Sequence, residues 1–101
     1  MANNLIDRMR KGEKEAIMDG LLHSGAIYRM NAISFTAISG IKDAEIKKKI
    51  KELKNDEVVL DGYSVSDFAL AALDMMKVEP YSGNKIIVKK LIDSRFDFLR
   101  K

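Results

Sequence analysis

Few residues of this chain have side chains suited to covalent or metal-dependent chemistry. The sequence has one histidine, His23, and no cysteine. This excludes disulfide bridges, zinc sites with cysteine ligands, cysteine nucleophiles and sites with several histidine ligands. None of the serines lies in the Gly-x-Ser-x-Gly pattern of a hydrolase. We therefore predict a protein that is not an enzyme, with no catalytic residue, metal site or cofactor.

His23 lies where the second predicted helix ends. A histidine there could act as a lone base or as a pH sensor. An interaction with the partial negative charge of the helix C-terminus is the more common role, and we expect it here.

Lysines form the strongest charge feature. Residues 42–54 contain six lysines and three acidic residues, a net charge of +3 that equals that of the whole chain. Lys47, Lys51 and Lys54 recur at spacings of four and three, so they share one side of a helix, whereas Lys48 lies on another. Such a face either binds a phosphate or an acidic protein, or keeps the helix solvated. These four lysines are candidate partner-binding residues.

Acidic residues gather before the fifth predicted helix. Paired carboxylates can carry out acid–base chemistry, but no histidine or metal ligand accompanies these. Asp67 is expected to favour the positive N-terminus of that helix. The others are expected to solvate the loop; they are Asp56, Glu57 and Asp61.

Two tyrosines are predicted to lie in loops between helices, at Tyr63 and Tyr81. Loop tyrosines either anchor an interface or pack their rings over a helix end with the hydroxyl in water. Both are therefore candidate partner-binding residues.

Length and composition indicate one small globular domain, residues 1–101. The chain is 47% hydrophobic and 33% charged. Its longest run without a charge, residues 30–41, is shorter than the roughly 20 residues of a membrane-spanning helix. Residues 1–12 lack the apolar stretch of a signal peptide. We expect a soluble, cytoplasmic protein with no membrane partner.

Apolar periodicity predicts an all-α protein of about six helices. In the helix predicted for residues 26–39, the apolar residues from Ile27 to Ile38 cover much of the circumference, which is typical of a buried helix. The helix that follows it has a narrow apolar stripe of Ile46, Ile50 and Leu53. In the second predicted helix, Gly20 lowers the stability of the helix by about 1 kcal/mol relative to alanine. The predicted helices are 5–11, 13–23, 26–39, 43–54 with Asp43 as N-cap, 64–77 starting at Ser64 or Ser66, and 85–99.

One segment, 58–65, allows two interpretations. Asp61-Gly62 lies between two β-prone triplets, which is typical of a hairpin. The alternative is a loop between helices, which would be unusually apolar.

The predicted helices repeat in pairs at an offset of about 40 residues. Residues 28–32 align with 65–69, and the helix after each also aligns. VSDFALAALDMM at 65–76 resembles the first helix of a HEAT-type repeat. YRMNAISFTAISGIKDAEIKKKIKEL at 28–53 resembles a whole such repeat, with Arg29 and Asp43 where that pattern often carries Arg and Asp. The resemblance implies a short right-handed α-α solenoid, with 1–25 as an N-terminal cap, 26–54 as repeat one and 64–99 as repeat two.

HEAT proteins are mostly protein-binding scaffolds, and some small bacterial members resemble immunity or accessory proteins. The resemblance therefore implies a non-enzymatic protein-binding module, such as a small intracellular inhibitor. An acidic partner would suit the lysine-rich helix.

The alternative is a winged-helix-like nucleic-acid-binding protein that places helix 43–54 in the major groove. A true hairpin at 58–65 would form the wing and favour this alternative, whereas a loop there would favour the solenoid.

Overall fold

The computed structural model of the protein describes residues 2–96. Its elements, in chain order, are α1 (Ala2–Arg10), α2 (Lys14–Leu21), α3 (Ala26–Ser39), α4 (Ala44–Glu52), β1 (Val59–Leu60), β2 (Tyr63–Ser64), α5 (Val65–Met75) and α6 (Ile86–Ser94). A 3-10 turn, Leu53–Asn55, extends α4. The prediction of an all-α protein is confirmed.

Helix α3 begins and ends at the predicted residues, because Gly40 stops it with a φ of 68°. The other helices differ from their predicted bounds by a few residues. The largest difference is in α6, which ends at Ser94 because Arg95 and Phe96 take positive φ angles of 51° and 58°. The predicted continuation to residue 99 extends outside the described residues.

The odd-numbered helices contact one another in series, α1 with α3 and α3 with α5. Helix α2 contacts both α3 and α4, and α6 packs on α5. Stacked helical pairs are expected to pack in this way. The repeat boundaries and the right-handed solenoid stay predictions.

In the described part of the chain, no helix has the length and apolar character needed to cross a membrane.

Helix α3 is buried, as predicted, but its buried face includes polar residues. Ser34 Oγ donates to Met30 O at 3.0 Å, and Thr36 Oγ1 donates to Ala32 O at 2.7 Å. These contacts satisfy the hydroxyls within the helix, so their burial leaves no unpaired donor. Ile27, predicted to belong to the buried apolar set, is instead 40% exposed.

The segment 58–65 forms a hairpin, which resolves the open alternative. Val59 pairs with Ser64 and Leu60 with Tyr63 in an antiparallel register. Asp61 and Gly62 both have positive φ, 54° and 84°, as a type I′ turn requires. An Asp-Gly pair suits this turn because both residues tolerate the left-handed region.

Ser64 ends the hairpin and caps α5. Its Oγ accepts a hydrogen bond from the Asp67 backbone N–H at 3.0 Å, and Asp67 Oδ2 accepts one from the Ser64 N–H at 3.1 Å. This capping box satisfies two donors at the helix start. Asp67 therefore lies at the helix N-terminus, as predicted.

We expect Ser64→Ala to lower the free energy of unfolding by about 1 kcal/mol, because the Asp67 N–H loses its acceptor. Urea denaturation measures the loss. Ser82→Ala is the matched control, since Ser82 lies in an exposed loop, and should change stability little. Equal losses in the two variants would contradict the capping role.

Candidate functional site

Two loops of the structure are tied together by Arg29, near the start of α3. Its Nε donates to Asp56 Oδ2 at 2.9 Å, and its Nη1 donates to the backbone oxygens of His23 at 2.8 Å and Ser24 at 2.9 Å. The side chains of Arg29 and Asp56 are only 12% and 18% exposed. Charge-assisted contacts of this kind are short and directional. They hold the turn before α3 against the turn that follows α4.

The structure corrects the prediction that Asp56 merely solvates a loop. Besides pairing with Arg29, its Oδ1 accepts a hydrogen bond from Val58 N–H at 3.1 Å, and its backbone oxygen accepts one from Ser66 N–H at 2.7 Å. Asp43, which the repeat pattern singled out together with Arg29, is the N-cap of α4, as predicted. Asp56 therefore connects α3, the hairpin and α5.

His23 lies in the turn that Arg29 holds. Its Nδ1 accepts a hydrogen bond from Gly25 N–H at 2.9 Å, and its ring lies 4.1 Å from the Tyr28 ring, centroid to centroid. Its backbone N–H donates to Gly20 O at the end of α2, at 3.2 Å, and the predicted interaction of its ring with that helix end stays a prediction. His23 therefore organises the turn.

Four exposed aliphatic side chains lie in and beside the two joined loops. Leu22 follows α2, Ile27 lies in the first turn of α3, and Val58 and Val59 begin the hairpin. Leu22, Val58 and Val59 are 61%, 50% and 65% exposed. The contact of β1 with α3, together with the Arg29 ion pair, brings the hairpin beside the start of α3. We name these four residues the apolar edge.

Acidic residues accompany the apolar edge, and we name Asp19, Glu57 and Asp61 the acidic rim. Asp19 lies three residues before Leu22, so the two are neighbours at the end of α2. Glu57 directly precedes Val58, and Asp61 lies in the hairpin turn. All three are exposed, and in the described part of the chain none forms an ion pair.

The four candidate lysines have different surroundings. Lys54 Nζ lies 2.8 Å from Glu79 Oε1, and Lys51 Nζ lies 4.0 Å from Glu79 Oε2. The hydrogen bond from Lys54 lowers the pKa of Glu79. Lys48 is exposed and Lys47 half-buried, and neither has an ion pair within residues 4–96. Part of the lysine charge is therefore neutralised by the loop between α5 and α6.

The start of α4 carries a second electrostatic contact. Asp43 Oδ1 accepts a hydrogen bond from Ile46 N–H at 3.0 Å, and its Oδ2 lies 3.1 Å from Lys14 Nζ. The hydrogen bond from the Ile46 backbone, followed by that from Lys14, lowers the pKa of Asp43. This carboxylate joins α2 to α4.

We expect Asp43→Asn to destabilise the protein at neutral pH and much less in acid. Asparagine still accepts from Ile46 N–H but lacks the charge that faces Lys14. Because the folded pKa of Asp43 lies below the ordinary value of 3.8, the ionised form stabilises the fold above that value. This contribution disappears as the pH falls through the folded pKa.

Urea denaturation at neutral pH and well below the ordinary pKa measures this difference. Glu15→Gln, at an exposed position of the same α2 surface, is the control for a general charge effect. A gap between wild type and Asp43→Asn that stays constant with pH would contradict the assignment.

Both candidate tyrosines take part in internal contacts. Tyr81 Oη accepts a hydrogen bond from Lys85 N–H at 2.7 Å, and the Tyr81 N–H donates to Asp74 Oδ2 at 2.7 Å. The half-buried ring of Tyr63 meets the Phe68 ring edge-on, with centroids 5.8 Å apart. These contacts fit the alternative in which each ring packs against a helix, and a role in partner binding stays a prediction.

A cleft of about 440 Å³ lies between the C-terminal ends of α3, α5 and α6. Its titratable lining residues are Asp74, Lys77 and Arg95, and Asp74 already accepts a hydrogen bond from Tyr81. Among residues 4–96, no group of three or more histidine, aspartate and glutamate side chains is placed to hold a metal ion. The apolar edge and its acidic rim form the candidate functional site.

Sequence reasoning did not identify the apolar edge. A signal was present, because the triplet from Val58 to Leu60 is unusually apolar for a connection between helices. The pattern left open which of these side chains turn towards the core.

No family model, curated protein or solved structure matches the chain.

Proposed function

We propose that this protein is a non-enzymatic protein-binding module whose contact surface is the apolar edge. The observation that carries the proposal is the exposure of four large aliphatic side chains in and beside the two loops that Arg29 joins. Single exposed apolar residues are common, whereas a group of them with polar surroundings is typical of a site that binds another protein. Their burial against a partner would favour association by about 25 cal/mol per Å².

The Arg29 ion pair supports the proposal because it holds both loops in one arrangement before a partner arrives. A surface that is already ordered loses less conformational entropy on binding. The hydrogen bond from Val58 N–H to Asp56 fixes the start of the hairpin in the same arrangement.

The helical packing also supports a binding role. The contacts of α1 with α3, of α3 with α5 and of α2 with α4 accord with the resemblance to HEAT-type repeats, which serve mostly as protein scaffolds. A small intracellular inhibitor, of the kind that neutralises a toxin as an immunity protein, is a function of this class.

Site-specific photocrosslinking tests the proposal in cells that naturally make the protein. A benzophenone amino acid replaces Val59 in one variant and Lys48 in a matched control, since both side chains are exposed. We expect a defined crosslinked protein from position 59 and none from position 48. Crosslinking from position 48 alone would move the contact surface to the lysine-rich helix, and crosslinking from neither would contradict protein binding.

A second candidate, a winged-helix-like nucleic-acid-binding protein, is favoured by the presence of the hairpin. Helix α4 would enter the major groove and the hairpin would be the wing. The charge of the hairpin opposes this function, because residues 55–64 contain three acidic residues and no basic one, and would face the phosphates with like charge. Helix α4 also has no Arg, Asn or Gln to read base edges.

Fluorescence anisotropy with a mixed-sequence DNA duplex at two salt concentrations tests the second candidate. We expect no binding that distinguishes wild type from Lys48→Glu. Binding that falls steeply with salt and is lost in Lys48→Glu would favour the winged-helix function instead.

A further inference from the structure

We propose that the partner presents a cationic amphipathic helix to the apolar edge, with lysine or arginine side chains next to aliphatic or aromatic ones. This inference rests on the proposed function and specifies the chemistry of the partner. The observations that carry it are the exposed aliphatic side chains of the edge and the three exposed carboxylates of the acidic rim, which lie one to three residues away from them along the chain.

The local charge at the edge is opposite to that of the whole chain. The chain has a net charge of +3, yet residues 55–64 contain three acidic residues and no basic one. Arg29 neutralises Asp56, which leaves the carboxylates of Glu57 and Asp61 uncompensated. Because salt screens exposed charges beyond about 10 Å, an approaching partner responds mainly to these nearby carboxylates.

Charge also argues against other occupants of the edge. A second copy of this chain, docked about a two-fold axis, would bring the acidic rim against itself. A nucleic acid or an anionic lipid surface would meet the same repulsion. A cationic protein segment is attracted by the rim and buries the aliphatic side chains.

The hairpin indicates how such a segment binds. Strand β1 has only two residues, Val59 and Leu60, so a strand added at its edge would gain few backbone hydrogen bonds. Contact must therefore come mainly from side chains. An amphipathic helix carries apolar and basic side chains on adjoining faces, so it can contact both the edge and the rim without pairing its backbone with β1.

Two matched synthetic peptides test the inference. Each is a helix of about 18 residues with leucine on one face, long enough to be partly helical alone; the polar face is lysine in one and glutamate in the other. Titration into the ¹⁵N-labelled full chain is followed by NMR. We expect the lysine peptide to shift the amide signals of Leu22, Ile27, Val58 and Val59 in a saturable manner, and the glutamate peptide to leave them unchanged.

Variants distinguish the effect of the acidic rim on peptide affinity from the effect of the overall charge of the chain. Glu57→Gln with Asp61→Asn should weaken binding of the lysine peptide by about tenfold, because exposed ion pairs each contribute roughly two- to fivefold. Asparagine tolerates the positive φ of 54° at position 61, so the hairpin turn is kept. Asp93→Asn, at an exposed position on α6, is the matched control and should bind as wild type does.

The outcomes distinguish this inference from the function on which it rests. A protein crosslinked from position 59, combined with no preference between the peptides, would overturn the cationic partner and leave protein binding in place. Preference for the glutamate peptide, or shifts confined to α4, would also overturn the inference. Dimerisation through the edge, seen by sedimentation and abolished by Val59→Ser, would assign a second copy as the occupant and contradict it.

Discussion

Replacing Arg29 by methionine is expected to lower the free energy of unfolding by about 3 kcal/mol, because it breaks a largely buried ion pair by removing one partner. Asp56, only 18% exposed, would lose its counter-charge. The backbone oxygens of His23 and Ser24 would each lose a donor. For a domain of this size, the melting temperature should fall by about 10–20 °C.

Two further variants test whether the loss of stability in Arg29→Met comes from its pair with Asp56. Arg8→Met removes an exposed pair with Glu13, at 3.0 Å and with side chains 36% and 46% exposed, and should cost under about 1 kcal/mol. Adding Asp56→Asn to Arg29→Met should recover part of the loss, because no uncompensated charge remains. Similar losses for Arg8→Met and Arg29→Met, measured by urea denaturation, would contradict the joining role of Arg29.

Gly20→Ala is expected to destabilise the protein by about 1–3 kcal/mol, although alanine is the better helix former. Gly20 is buried in the last turn of α2. A Cβ at this position would overlap Met9 Sδ and lie 2.9 Å from Ala32 Cβ. The methionine side chain can move, but the Cβ of Ala32 is fixed by the backbone of α3, so the helices would have to separate.

A double-mutant cycle identifies the cause of the Gly20 effect. Gly20→Ala and Ala32→Gly together should lose less stability than the sum of the single variants, because the second change opens space for the first. Asp19→Ala is the helix-propensity control at an exposed site on α2 and should change stability by less than about 0.5 kcal/mol. A stabilised Gly20→Ala variant would show that propensity outweighs packing.

Much of the secondary structure was predictable because it depends on neighbouring residues. The stripe of Ile46, Ile50 and Leu53 places one face of α4 in the core, and all three residues are buried. Asp61-Gly62 indicated the hairpin turn, although the sequence left a loop as an alternative. The end of α6 was missed, because the apolar pattern continues past Arg95 while the backbone there turns left-handed.

The candidate site was less predictable, because residue type does not indicate which groups satisfy one another. Lys54 and Tyr81 were candidate partner-binding residues, and the sequence did not indicate that Lys54 pairs with Glu79 or that Tyr81 accepts a hydrogen bond from Lys85. Asp56 was assigned to solvent and pairs with Arg29. Each of these contacts depends on which loops lie together after folding.

The sequence by itself determined an all-α chain without cysteine and the positions of its helices within a few residues, and it indicated the Asp-Gly turn and a serine cap for α5 as alternatives. These features depend on contacts between residues a few positions apart, which spacing and side-chain type describe. Only the tertiary structure decided that Arg29 joins Asp56 across 27 residues, that α2 needs glycine at position 20, and that Leu22, Ile27, Val58 and Val59 stay in solvent. Burial and long-range pairing depend on how the helices pack against one another, and local sequence patterns do not specify that packing.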